Sequence, residues 1–99
     1  MSRYLLFWEL NPAYVVEDSV ERAKQWKQLI MMVDQDMQKG VTKDWGAFIA
    51  ERSGYCVVEG TELEVSLMAQ QYSPYVEFST HACSSVEQTK EMLEAMTSK

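Results

Sequence analysis

The sequence predicts an α+β domain built on one antiparallel four-stranded sheet, and three observations predict it. The first is the stretch Tyr4-Leu5-Leu6-Phe7-Trp8, which is apolar on both parities. Successive side chains of a strand point to opposite faces, so Tyr4, Leu6 and Trp8 share one face and Leu5 and Phe7 the other, and both faces need cover. The second is a similar stretch, Tyr55-Cys56-Val57-Val58. The third is the succession of periodicities, which reads β-α-β-β-α-β with a further helix at the C-terminal end.

Each element has its own justification. Glu9-Leu10-Asn11-Pro12 ends the first strand, because Pro12 drives its predecessor out of helical space. Tyr14, Val15 and Val16 follow in a loop expected to tuck beneath the domain. Asp18 or Ser19 caps a helix over about residues 19–39. Its inward face is read as Ala23, Trp26, Ile30, Val33 and Met37, with Leu29 beside it. Lys39 and Gly40 suit its C-terminus.

Val41 to Ala50 reads as the second strand, with Gly46 marking a bulge or a close approach. The turn Glu51-Arg52-Ser53-Gly54 joins it to the strand at Tyr55 as a hairpin. Thr61 and Glu64 have capping-box spacing. Val65, Met68, Ala69 and Tyr72 follow at helical intervals, which places a helix over residues 62–72. Ser73-Pro74 stops it. Tyr75 to Ala82 alternates: Val76, Phe78, Thr80 and Ala82 on one face, Tyr75, Glu77, Ser79 and His81 on the other. Ser85 and Gln88 form a second capping-box pair before a last helix, about 86–97, which carries Val86, Leu93 and Met96 inward.

This order is the split-βαβ, or ferredoxin-like, pattern. Right-handed crossovers put both main helices on one side of a sheet of order 4-1-3-2. Strands one and three are then central, and they are the two without polar alternation. Their other face stays apolar and uncovered, a patch of the size that marks a contact. The expectation is a homodimer packed through the open sheet face, with the third helix assisting.

Composition bounds the function classes. The 99 residues make a single domain, 1–99, and an apolar content of 46 % supports a core. A net charge of −6 argues against nucleic acid as the main partner. No apolar run is long enough for a membrane span, and no signal-peptide core is recognised, so the expectation is a cytoplasmic protein whose two cysteines, Cys56 and Cys83, are reduced. Those two cysteines, on strands separated by strand one, are expected to stay free thiols.

Nearly the whole chain resembles an uncharacterised family of small ferredoxin-like domains within the dimeric α+β barrel group. The carrying segments are Tyr4 to Pro12, Lys43-Asp44-Trp45-Gly46, Gly54 to Gly60, and Tyr75-Val76-Glu77-Phe78. That group includes monooxygenases, isomerases, dehalogenase-like proteins and ligand-binding regulators, so the resemblance implies a small-ligand cavity and selects no reaction.

The candidate ligand-binding residues are Trp8, Trp45 and His81, for a small apolar or aromatic ligand. Against this, core or dimer packing is the favoured reading of all three tryptophans, Trp26 included. The candidate acid–base residues are His81, Glu77, Tyr75 and Asp44. His81 and Glu77, four apart on a strand, stand about 13 Å apart, so a partner for His81 must come from elsewhere. Cys83 near a helix start is a candidate reactive thiol without a resolving partner. No metal constellation, phosphate loop or dinucleotide fingerprint is present, and no cofactor is expected. Three readings result: a dimeric ligand-binding or interaction domain without a catalytic set, a cofactorless oxygenase- or isomerase-like enzyme acting on an aromatic or enolisable substrate, or an oligomerisation module without a ligand.

Overall fold

A computed structural model describes residues 2–98. Strand β1 (Ser2–Leu10) runs between β3 (Ser53–Gly60) and β4 (Val76–Cys83), and β2 (Thr42–Ala47) adds to the outer side of β3. The order β2-β3-β1-β4 is antiparallel throughout and is 4-1-3-2 read from the other edge. Three helices accompany the sheet: α1 (Ser19–Gln38), α2 (Glu62–Gln70) and α3 (Val86–Thr97). The α+β arrangement is compatible with a ferredoxin-like fold.

The covered sheet face holds the core. Leu6, Cys56 and Val58 are buried there against Val65, Met68 and Tyr72, with Leu29, Met32 and Val33 of α1 packed on them. Burying a side chain such as Leu6 or Val58, both fully inaccessible, stabilises by roughly 1.5–3 kcal/mol. The opposite face carries Leu5, Phe7, Tyr55 and Val57 in adjoining registers, with Phe7 43 % exposed. Arg3 and Glu59 close one end of that face with a 2.8 Å ion pair.

The caps hold as the sequence predicts. Glu21 N–H donates to Asp18 Oδ2 at 2.9 Å. The capping boxes Thr61–Glu64 and Ser85–Gln88 are both closed reciprocally. Backbone and side-chain hydrogen bonds from Thr61 also hold Glu64 below the usual carboxylate range.

Four expectations need correction. The inward face of α1 departs from the one predicted only at its C-terminal end, where Met37 is 42 % exposed and Asp36 3 % exposed, while Ala23, Trp26, Ile30 and Val33 line the space beneath the helix. Strand β2 ends at Ala47, because Ala50 takes a left-handed backbone (φ 65°) and Glu51 N–H donates to Phe48 O, closing the turn early. Of the two readings of Gly46 the close approach holds, since it admits the Tyr55 ring, and the bulge lies between Thr42 and Asp44. Tyr14 and Val16 lie exposed rather than beneath the domain.

The fourth correction concerns α3. Val86, Leu93 and Met96 are 72 %, 50 % and 66 % exposed, and no residue of this helix is buried. α1 and α2 already lie over the covered sheet face, and α3, two residues after β4, runs on as an arm. The radius of gyration is 16.6 Å, against about 13 Å for a globular chain of this length.

Gly54 illustrates how tightly the central register is built. It pairs with Trp8, and a Cβ there would collide with the Gly46 carbonyl oxygen and fall 2.5 Å from Trp8 Cζ2. Gly54→Ala is expected to cost about 2 kcal/mol, read as a lower urea midpoint at unchanged slope.

Candidate functional site

The N-terminal half of α1 stands off the sheet and leaves a cavity of about 410 Å³. Its walls are aromatic and aliphatic: Trp8, Trp45 and Phe78 from the sheet, Trp26, Leu29, Ile30 and Val33 from α1, and Met68 and Tyr72 from the α2 end. Trp8 and Trp45 stack with ring centroids 5.4 Å apart and planes 9° from parallel. Two strands position them, since Trp8 pairs with Gly54 and Trp45 with Cys56. Trp26 comes from α1, and the guanidinium groups of Arg22 and Arg52 lie 5.6 Å and 5.8 Å from its ring centroid. Such cations over an indole face are favourable by about 0.5–1 kcal/mol each.

The floor is polar at one place. Tyr72 Oη donates to Asp36 Oδ2 at 2.6 Å, and both residues are buried. Burial, then the hydrogen bond to Asp36, then the Asp36 charge hold the Tyr72 phenol far above its ordinary value, so it stays protonated. Cys56 and Thr42 complete this end of the cavity. Burial and, second, the nearby Asp36 charge push the Cys56 thiol up to about 11.

The indole N–H groups of Trp8 and Trp26 are buried with no acceptor among the described residues. An unsatisfied buried donor costs about 1–3 kcal/mol, so the site carries two unmet polar demands. The rim consists of the exposed residues Lys27, Glu51 and Arg52.

The predicted site residues divide between the two faces of the sheet. Trp8 and Trp45 wall the cavity. His81 is exposed on β4, an edge strand; its Nε2 is 3.5 Å from Ser79 Oγ and its ring meets Phe7 edge-on at 5.8 Å. Glu77 lies exposed two residues before Ser79, on the same face. Asp44 is on this face too, where Tyr55 Oη donates to its Oδ2 at 3.1 Å. That hydrogen bond, followed by burial and the Asp44 charge, raises the Tyr55 phenol. Tyr75 precedes β4 and packs edge-on against Tyr14. His81, Glu77, Tyr75 and Asp44 are all absent from the cavity lining.

Sequence reasoning missed Asp36, Lys27, Arg52 and Tyr72 as site residues. The signal for Asp36 was present: it continues the stripe Trp26, Leu29, Val33 at helical spacing, an acid where an apolar residue belongs. Among the described residues no helix is long and apolar enough to cross a membrane, and no group of three or more His, Cys, Asp or Glu is placed to hold a metal ion.

Cys56 and Cys83 are both free. With its pKa near 11, Cys56 is thiolate to roughly one part in a thousand at pH 8, and it is 3 % exposed. Cys83 is half-buried at the end of β4. An aromatic disulfide reagent at pH 8 is expected to titrate one thiol per native chain, Cys83, and the second only in denaturant. Two rapid native thiols would show that the floor of the cavity opens.

Fold and site together define a small α+β domain with an aromatic cavity under its long helix. Comparison with protein-family models, with curated proteins and with solved structures found no match.

Proposed function

We propose that the chain is a homodimeric ligand-binding domain of the dimeric α+β barrel type, taking a small apolar or aromatic molecule between α1 and the sheet and carrying no catalytic set of its own. The observation that carries this reading is the cavity, whose size lies within the range of about 300–1,000 Å³ usual for ligand pockets and whose wall is almost wholly apolar. Three tryptophans supply the wall, and its buried polar groups include two indole donors without acceptors.

The dimer reading rests on what one chain leaves uncovered. The open sheet face is roughly 300 Å² in projection from strand spacing and length. The apolar stripe of α3, about 18 Å long, adds to it. Together they approach the roughly 800 Å² of accessible surface per partner that a stable interface buries. None of the four acid–base candidates lines the cavity, Glu77 bordering a separate hollow with Phe7 and Phe48, so the catalytic alternative lacks there the groups it relied on.

The experiment is a thermal-shift and calorimetric screen of small aromatic and aliphatic compounds against the purified chain. Saturable binding that displaces the emission of the tryptophans is expected. A panel that leaves both melting and emission unchanged at millimolar concentration would remove the ligand reading.

A further inference from the structure

We infer that the cavity takes an anionic ligand: an apolar or aromatic carboxylate whose charged head lies at the rim between Lys27 and Arg52. The inference rests on the ligand-binding reading and names its chemical class.

The argument is one of complementarity. The chain as a whole is acidic, at −6, yet two of the three charged groups on the cavity rim are cations. Neither Lys27 nor Arg52 has a carboxylate within ion-pairing distance among the described residues, whose pairs involve Arg3, Lys24 and Lys90. The one acid of the lining, Glu51, already accepts from Ser53 Oγ at 3.3 Å. Deeper in, the Tyr72 hydrogen is spent on Asp36. The Trp8 and Trp26 N–H groups are donors without acceptors.

The groups without a hydrogen-bond or ion-pair partner are therefore cations and donors, Arg52 lying over the Trp26 ring without donating a hydrogen bond, with the Thr42 hydroxyl able to serve either way. What the wall lacks is an acceptor, and a carboxylate supplies two. The two indole donors are covered by neighbouring atoms, so a ligand reaches them only if a ring turns. The rim cations need no such rearrangement, and Arg52 presents a planar fork suited to a carboxylate. A neutral apolar molecule would leave both cations without a counter-charge. On size, a hollow of roughly 150 Å³ holds benzene, so 410 Å³ accommodates a body of roughly 15 heavy atoms.

The test is isothermal calorimetry of the full chain at low salt with a matched pair of probes, 1-naphthaleneacetate and 2-(1-naphthyl)ethanol. The acid is expected to bind at least about ten-fold more tightly than the alcohol. In the double variant Lys27→Gln, Arg52→Gln the two are expected to bind alike, and Arg52→Lys alone to keep most of the preference. Both substitutions lie on exposed side chains, and circular dichroism checks the fold. Equal affinity of acid and alcohol for the unaltered chain, or a preference that survives removal of both cations, overturns the anion assignment while leaving the cavity reading intact. Failure of both probes to bind at millimolar concentration overturns the assignment together with the ligand reading beneath it.

Discussion

Tyr72→Phe is expected to lower the unfolding free energy by about 3 kcal/mol, because it leaves the buried Asp36 carboxylate without the phenol that solvates it. For a chain of this length that corresponds to a fall of roughly 12–24 °C in Tm. Asp36→Asn keeps an oxygen that accepts the Tyr72 hydrogen, so it is expected to cost much less, about 1 kcal/mol. The contrast between the two, measured by urea titration at pH 7, separates loss of the donor from loss of the charge. Equal costs would show that the Asp36 charge contributes as much as the Tyr72 donor.

The same floor sets an alkaline limit. Folding raises the pKa of Tyr72 above its ordinary 10 and that of Cys56 from 9 to about 11. In both residues folding favours the protonated form. Their contribution is therefore complete below about pH 9, and it is lost as pH rises past the unfolded values toward the folded ones. The urea midpoint is expected to fall steadily above pH 9, and less steeply in Asp36→Asn, where one negative neighbour is gone.

Element order and caps were legible in the sequence because they rest on local physics. The strand at Tyr4–Trp8 needed only parity, and the capping boxes at Thr61 and Ser85 needed only spacing. The C-terminal end of the α1 face was harder. Met37 satisfies a helical period as well as Asp36 does, and the choice between them depends on how far the helix stands off the sheet. That standoff is also what makes the cavity, so its volume and rim were out of reach for the same reason. Trp8 and Trp45 could be suspected from their strands, but their stacking depends on the β2–β3 register, which a bulge between Thr42 and Asp44 shifts. Lys27 and Arg52 read as ordinary surface charges until the fold sets them on one rim. The arm of α3 escaped because an amphipathic stripe announces that it needs a partner and does not say which chain provides it.

That last ambiguity bears on the open sheet face, where the second large effect is expected. Leu5 pairs with Val57 on one side and His81 on the other, near the middle of the uncovered face. In a two-fold dimer one substitution appears in both partners, so Leu5→Glu inserts two carboxylates into one apolar contact. At several kcal/mol for each unpaired buried charge, dimer dissociation is expected to strengthen by more than about a thousand-fold. Phe7→Glu, on the same face, is expected to act alike. Leu67→Glu, on the exposed side of α2, is the control and is expected to leave assembly unchanged. Sedimentation velocity over a micromolar concentration series reads all three. If the unaltered chain sediments as a monomer throughout, the sheet-to-sheet assembly is wrong. If Leu67→Glu dissociates the dimer while Leu5→Glu does not, the partner lies on the helical side, and the sheet face and the arm of α3 must find their cover in some other molecule.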